Sequence, residues 1–453
     1  MEQLLNLKSR MGFMWWATIL LILGCAVGYA SMSFGGASAG EYDASLINAG
    51  DTAWVLLATA LVMLMTPAVG FFYGGMVSSK NVVSVIKQSM VILALVSVQW
   101  VVLGYTLAFG PDVGGVIGNL DFFGLKGVGF APNADYAATI PHLSFMAFQA
   151  MFAIITPALI IGAFVGRIRF KTLVIFTLLW TTLVYDPIAH SVWAVGGWIR
   201  DMGALDFAGG TVVHMSAGFS ALAAAILVGR RLDQSEPSVS ANNVPFVILG
   251  AALLWFGWFG FNAGSALAAG ALAASAFVVT NTAAAAAALT WVALSWAQNG
   301  KPSAMAAAIG AVCGLVAITP ASGYVGPVAS IAIGIIAGVV TYTAVYIRSR
   351  KTRVDDTLDV WAAHGVGGLA GAVLTGFFAE KAINAAGNNG ALFGNPDQVI
   401  VQILAVAATA TYAFVATYVL LKVISFFSPL RVESHEEEEG LDMATHGESA
   451  YRH

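Results

Sequence analysis

The stretch Asp206-Phe-Ala-Gly-Gly-Thr-Val-Val-His214 sets a histidine inside a long apolar segment, eight residues behind an aspartate. A shorter stretch further along the chain, Asp359-Val-Trp-Ala-Ala-His364, repeats this order. A charge at the centre of a membrane costs roughly 2.5–3.5 kcal/mol or more, so ionisable groups at that depth indicate a functional site. We therefore ask whether the two histidines meet in the fold, and what they would do there.

The composition indicates an integral membrane protein. Hydrophobic residues make up 58% of the chain and charged residues 10%, and the mean hydropathy is +0.81. A soluble domain carries about 25% charged residues. The only cysteines, Cys25 and Cys313, lie in apolar segments and exclude a disulfide framework or a cysteine-based metal site.

Eleven apolar runs are long enough to cross a bilayer as helices, or nearly so. They fall at residues 54–77, 87–109, 144–166, 170–195, 208–229, 244–265, 271–297, 303–320, 324–347, 359–379 and 398–427. They form a membrane domain of residues 40–428, followed by an acidic tail of residues 429–453. Residues 1–39 read as a signal peptide and leader, because Lys8 and Arg10 precede an apolar core. A retained first helix is the alternative.

Basic residues alternate from loop to loop. One set of loops holds fourteen of them and the other set holds three. The richer set is Lys80, Lys87, Arg167, Arg169, Lys171, Arg230, Arg231, Lys301, Arg348, Arg350, Lys351, Arg353, Lys422 and Arg431, and the poorer set is Lys126, Arg200 and Lys381. The positive-inside rule then places the mature N-terminus outside and the tail in the cytoplasm, here of an inner membrane.

The eleven helices divide into two groups of five and one more. The histidines lie on the fifth and the tenth helix, so they hold the same position in each group. Because five is odd, the second group enters the membrane upside down. The predicted fold is therefore an all-α membrane protein with two inverted five-helix repeats, residues 54–229 and 244–379, and a C-terminal helix. In such folds the substrate path lies at the repeat interface.

The helix faces that carry the histidines hold mainly glycine beside them, with little other side-chain bulk. Side chains three or four positions apart share a face, which groups His214 with Gly210 and Gly218, and His364 with Gly368. We expect the pseudo-twofold axis to bring both imidazoles together, where burial disfavours their charged form. Two imidazoles that share one proton titrate as a unit. A plain hydrogen bond between helices is the alternative for either histidine alone.

The two aspartates allow two interpretations each. Asp206 precedes the fifth helix on the outer side, where it would either attract cations at a pore mouth or cap the helix. Asp359 precedes the tenth helix on the cytoplasmic side, where we expect only a structural role such as a cap.

Aromatic residues are dense around Phe152, Trp193 and the run from Trp255 to Ser265. Aromatic faces attract small cations by about 0.5–2 kcal/mol each. A serine hydroxyl beside them would accept a proton from a polyatomic cation, which a bare metal ion does not carry. The sequence thus indicates a site for a protonated small molecule.

These motifs resemble the ammonium transporters of the Amt/Mep/Rh superfamily, in the bacterial Amt branch. The resemblance runs from about residue 50 to the end and rests on the stretches 206–214, 258–265 and 359–364. It implies a non-enzymatic homotrimer without cofactor or nucleic-acid partner, with one ammonium pore per subunit. It also implies a role for each matching residue: a pore pair, His214 and His364; a phenylalanine gate, Phe152 and Phe261; an external recruitment site, Trp193 and Ser265 with Phe152; an indispensable acid, Asp206; and accessory positions, Trp258, Asn262 and Asp359.

The tail resembles the segment through which bacterial members engage a cytoplasmic PII-type signalling protein. The matching residues are Glu439-Gly-Leu-Asp442 and His446-Gly-Glu-Ser-Ala-Tyr451. From its residues alone the tail is expected only to be acidic and solvated.

The expected mechanism begins with capture of ammonium outside. The cation is expected to lose its proton and cross as neutral ammonia, with co-movement of the proton along the histidine pair. Two other classes remain open. A membrane electron carrier would use His214 and His364 as haem ligands, and an ammonium sensor would use the same fold to signal through its tail.

Overall fold

The computed structural model describes residues 42–232 and 241–451, together with Gly24. The expected signal peptide, residues 1–39, therefore lies outside the described residues, Gly24 apart. Within the described part of the chain, ten helices are long and apolar enough to cross a membrane, and one apolar helix is shorter. We number them α1 to α11: Ala49–Met76, Ser79–Phe109, His142–Ala163, Phe170–Asp201, Gly210–Val228, Val244–Ala263, Ala271–Asn299, Ala304–Ile318, Pro327–Lys351, Trp361–Phe378 and Asp397–Phe427.

The all-α fold with eleven apolar helices is confirmed. The largest difference at a helix start concerns α2, which begins at Ser79 instead of residue 87. From the sequence, the membrane run is expected to begin only at Lys87, because this charge is assigned to a loop. In the structure the Lys87 Nζ lies 2.9 Å from His446 Nδ1 of the tail, so the helix carries this charge at a surface covered by polar groups.

Short strands occur only between α2 and α3 in the described chain. β1 (Asp112–Val113) pairs with β2 (Ile117–Gly118), and β3 (Pro132–Asn133) pairs with β4 (Ala137–Pro141). These two hairpins cover the face of the bundle that is poor in basic residues, which we call the opposite face. The face that carries the basic loops and the tail is called the basic face.

Helices α5 and α10 cross at the centre of the bundle in opposite directions. A Cβ on Gly218 would strike the backbone of Gly365, and a Cβ on Gly368 would lie 2.8 Å from the Gly210 carbonyl oxygen. Gly218, further along α5, thus meets the start of α10, and Gly368, further along α10, meets the start of α5. This reciprocal contact is the arrangement that inverted repeats require.

Each of the two crossing helices begins with a π-helical turn. The turns are Gly210–Met215 in α5 and Trp361–Val366 in α10. π-Helical turns are rare and frequent at functional sites. Each of these two contains one of the histidines singled out from the sequence, so the local backbone marks the same place in both repeats.

Candidate pore

The two histidines meet at the crossing of α5 and α10. The Nδ1 atoms of His214 and His364 lie 3.3 Å apart, and the ring centroids are 5.4 Å apart with the planes inclined by 23°. The side chains are 1% and 4% exposed. Because a neutral imidazole donates from one nitrogen and accepts at the other, one proton between the Nδ1 atoms fixes the tautomers of both rings.

The second nitrogen of His214 has no hydrogen-bond partner among the described residues. A buried polar atom without a partner costs roughly 1–3 kcal/mol, so such an atom marks a position where a ligand would be stabilised. A void of about 10 Å³ touches both His214 and His364, and its other walls are mostly apolar. It offers room for about one water-sized molecule.

Aromatic rings cover the pair toward the opposite face. Phe152 and Phe261 lie 4.4 Å apart between centroids, and Phe261 stacks on the His214 ring at 5.7 Å. Trp258 stacks on the same imidazole at 5.3 Å. All three aromatic side chains are buried. The histidines are therefore separated from that face by at least one closed aromatic layer.

Trp193 and Ser265 border this layer. The Trp193 ring meets Phe152 edge-on at 5.8 Å, and its Nε1 donates to the Asp206 carbonyl oxygen at 2.9 Å. The Ser265 hydroxyl donates to the Phe261 carbonyl oxygen at 2.8 Å. A hydroxyl that donates its hydrogen keeps its lone pairs free as acceptors, so Ser265 offers an acceptor next to the aromatic rings.

Asp206 caps α5. Its carboxylate accepts hydrogen bonds from the four backbone N–H groups of residues 209–212, at 2.7–3.3 Å, and from the Thr211 hydroxyl. It is 8% exposed. Of the two interpretations that the sequence allowed, this geometry matches the helix cap: both oxygens accept from the helix backbone, and the side chain positions the π turn that carries His214.

The corresponding cap of α10 is Asp356 and not Asp359. The Asp356 Oδ2 accepts from the Trp361 N–H at 2.7 Å, whereas Asp359 forms an ion pair with Arg348. The cap expected of Asp359 is therefore wrong. Asp356 precedes His364 by eight positions, as Asp206 precedes His214. This shared spacing is a sequence signal that would have identified Asp356.

The two remaining accessory residues are fixed by single hydrogen bonds. Trp258 Nε1 donates to the Thr319 hydroxyl at 2.9 Å, which orients the indole that stacks on His214. Asn262 Nδ2 donates to the Thr280 hydroxyl at 3.0 Å and is fully buried. Asn262 therefore joins α6 to α7.

A cavity of about 980 Å³ lies on the basic face. His364 lines it together with Tyr73, Asp359 and Arg348, and the tail contributes Glu437. His364 thus borders both this cavity and the small void at the histidine pair. The pair separates an aromatic layer on one side from a large cavity on the other, whose lining includes charged side chains.

The tail is docked across the basic face, contrary to the expectation of a solvated segment. Asp442 is 2% exposed, and its carboxylate accepts from the backbone N–H groups of Val83 and Ser84 at 3.0 and 2.7 Å. It thereby caps the start of α2. The Tyr451 hydroxyl accepts from the Asn242 side chain at 2.9 Å, so the segment spans from α2 to the start of α6.

These features define a class: a multi-pass helical membrane protein whose centre holds a buried histidine pair beneath a layer of aromatic rings. Residues 53–451 match the model of the Ammonium Transporter Family. The chain belongs to this family, and it is accordingly a transporter and not an enzyme.

Individual relatives cover nearly the same length. The chain is 50% identical over 403 residues to an ammonium transporter of Bacillus subtilis, covering 89% of this chain and 98% of that protein. It is 46% identical to the ammonium transporter Amt1 of Archaeoglobus fulgidus, covering 89% and 99%. Among solved structures it is similar to Mep2 of Saccharomyces cerevisiae, with a TM-score of 0.81, 34% identity, and 86% and 89% of the two chains covered.

The geometry argues against an electron carrier. The rings of His214 and His364 stack with their Nδ1 atoms 3.3 Å apart, which leaves no room for a haem between them. The sensor alternative keeps one structural relative, a sensor Amt protein with a TM-score of 0.81, 31% identity, and 88% and 98% of the two chains covered.

Proposed function

We propose that this ammonium transporter captures ammonium at Trp193, Phe152 and Ser265, removes its proton, and conducts ammonia past His214 and His364. The observation that carries the proposal is the buried histidine pair, which borders a void of one-molecule size behind an aromatic layer. Aromatic faces and a hydroxyl acceptor suit a cation with N–H groups. An apolar passage suits the neutral molecule.

Selectivity follows from the cost of charge. A cation in the passage would lose several kcal/mol of hydration with no carboxylate to compensate. Ammonium avoids this cost by releasing a proton, whereas potassium has none to release. The pore therefore discriminates through acid–base chemistry and not through ionic size.

The proton is proposed to follow the ammonia along the histidine pair. The Nδ1–Nδ1 contact allows one imidazole to pass a proton to the other, and the free nitrogen of His214 lies on the side away from this contact. Ammonia and a proton crossing together amount to net movement of one positive charge. Transport is then electrogenic.

Proteoliposome recordings test the mechanism. We expect an ammonium-evoked current and none with potassium. His214→Leu and His364→Leu should each reduce the current by roughly 10²-fold, the usual contribution of a positioned proton-transfer group. His435→Gln, at an exposed position of the docked tail, is the matched control and should keep the current. Undiminished current in either leucine variant would overturn the mechanism.

The cellular setting is also part of the proposal. We infer a homotrimer in an inner membrane, with a cleaved signal peptide, the mature N-terminus outside and the tail in the cytoplasm, where a PII-type protein would bind it. The basic loops and the tail share one face of the bundle, which supports this orientation.

Growth at low ammonium and acidic pH, in a strain without ammonium uptake, separates the transporter from the sensor alternative. Rescue is expected. Failure despite expression at the membrane would favour the sensor.

A further inference from the structure

The two repeat-related aspartates have very different surroundings. Asp206 receives five hydrogen bonds, and both of its oxygens are satisfied. Asp356 is fully buried; its Oδ2 accepts from the Trp361 N–H, and its Oδ1 has no hydrogen-bond partner among the described residues. A carboxylate that accepts many hydrogen bonds stays charged, whereas a buried oxygen without a donor favours a bound proton.

Neighbouring charges do not compensate Asp356. Arg348, the cation whose charge acts on Asp356, is already paired with Asp359 through both its Nε and Nη2 atoms. The charged or titratable groups that face Asp356 are Asp359, Arg348, Asp355 and the phenol of Tyr73. Burial, and next the negative charge of Asp359, raise the pKa of Asp356 to about 7.

Asp356 also lies close to the path. It caps the π turn that carries His364. Tyr73 lines the cavity and the void that His364 borders, and its neutral phenol lies within electrostatic range of Asp356. The three residues that follow Asp356 in the chain, 357–359, line the cavity. The buried carboxylate therefore lies behind the cavity wall, beside the exit of a proton that leaves the histidine pair toward the basic face.

We propose that Asp356 is the proton-release group of the transporter: its Oδ1 binds the proton delivered through His364 and releases it to water on the basic face. The inference rests on the proton co-movement of the proposed function. The balance is simple: ammonium enters, ammonia and a proton leave, and Asp356 returns to its carboxylate. Asp206, its counterpart, remains a fixed anion, so the two ends of the pore differ.

Two measurements on Asp356→Asn test this role. Asparagine keeps an oxygen for the Trp361 N–H but binds no proton. We expect the ammonium-evoked current to fall by about 10- to 100-fold, while ammonia uptake, assayed chemically as total ammonium inside the vesicles, stays within about twofold of wild type. Asp356→Glu restores a carboxyl and should recover part of the current. Asp121→Asn, on an exposed loop, should match wild type.

Infrared difference spectra of the whole protein, taken between about one pH unit below and one above 7, report the protonation of carboxyl groups independently of transport. We expect the carbonyl band of a protonated carboxylic acid to appear at the lower pH in wild type and to vanish in Asp356→Asn. A band that persists in this variant, or an unchanged current, would overturn the inference. If the histidine variants lose their current and Asp356→Asn does not, only this inference fails. A wild type without current would overturn the co-movement and this role together.

Discussion

At the scale of single residues, capping decides where the histidines stand. Asp206 and Asp356 each fix the first turn of a helix whose N-terminal N–H groups have no partner inside the helix. The imidazoles follow within two turns of those caps. The position of His214 therefore depends on a side chain that need not touch the substrate.

Asp206→Ala should destabilise the protein by about 2 kcal/mol or more, because a helix cap is worth about 1 kcal/mol and buried donors are left without acceptors. Thermal unfolding in detergent, followed by tryptophan fluorescence, would show a lower midpoint. Asp206→Asn keeps one oxygen and should lie between wild type and alanine. Asp121→Ala, on an exposed loop, should stay within about 0.5 kcal/mol. Equal midpoints for Asp206→Ala and wild type would contradict the capping role.

The sequence predicted the histidine pair and offered the cap as one interpretation of Asp206, but it assigned the cap of α10 to Asp359 and not to Asp356. The costly ionisable groups were visible because apolar runs surround them. Order alone does not choose between Asp356 and Asp359, since both precede His364, but the eight-residue spacing that Asp356 shares with Asp206 does. The hydrogen bond to Trp361 and the ion pair with Arg348 decide between them, and both depend on how the 352–360 segment turns.

At the scale of elements, the crossing of α5 and α10 brings the two histidines together. Hydropathy predicted these helices well, because a chain in lipid must satisfy its backbone hydrogen bonds internally. Glycine pairs indicated close packing but not which helices touch, since small-residue spacing occurs in several of them. The contacts of Gly218 with Gly365 and of Gly368 with Gly210 became known only from the fold.

Gly218→Ala should disturb this crossing. The added Cβ would strike the Gly365 backbone, which cannot turn away as a side chain would. Overpacking of this kind costs about 1–3 kcal/mol, and the shift of α10 should displace His364 and reduce transport. Gly270→Ala is the matched control, because no atom lies within 4 Å of its added Cβ. Transport and unfolding midpoints of both variants check the expectation, and equal losses in both would refute it.

At the scale of the whole molecule, the tail ties the basic face together. Glu437 pairs with Arg431 at 2.7 Å and accepts from the Leu232 N–H at 2.9 Å. Nearby, Asp355 pairs with Arg167 and Arg231, each at 2.9 Å. Burial alone would raise the pKa of Asp355, but these two arginines hold it below its usual range.

The sequence could not predict this docking. The tail is strongly acidic, which is typical of a solvated segment. Its partners lie in loops hundreds of positions earlier in the chain. Only the fold brings Asp442 to the start of α2, where the backbone N–H groups stabilise a carboxylate.

One tail contact depends on protonation. His446 Nδ1 lies 2.9 Å from Lys87 Nζ, so this nitrogen must be the acceptor, and Nε2 faces the Ser84 hydroxyl at 3.3 Å. The other charges near the ring are Asp442 and Glu448. Burial, and next the charge of Lys87, lower the pKa of His446. A protonated His446 would lose the hydrogen bond and face a second cation.

The docked tail should therefore loosen as pH falls. Docking prefers the neutral imidazole, so the contribution of His446 is fully present above its ordinary pKa of about 6.5 and is lost as the pH drops below that value toward the lowered one. A glutamyl endopeptidase cleaves the tail glutamates, and its rate is normalised to that on a free peptide of residues 433–451. The normalised rate should rise roughly fivefold as the pH falls. This factor corresponds to about 1 kcal/mol for the loss of one partly exposed hydrogen bond. His446→Gln does not titrate and should remove the pH dependence of the normalised rate. The same pH dependence in wild type and His446→Gln would show that another group controls the tail.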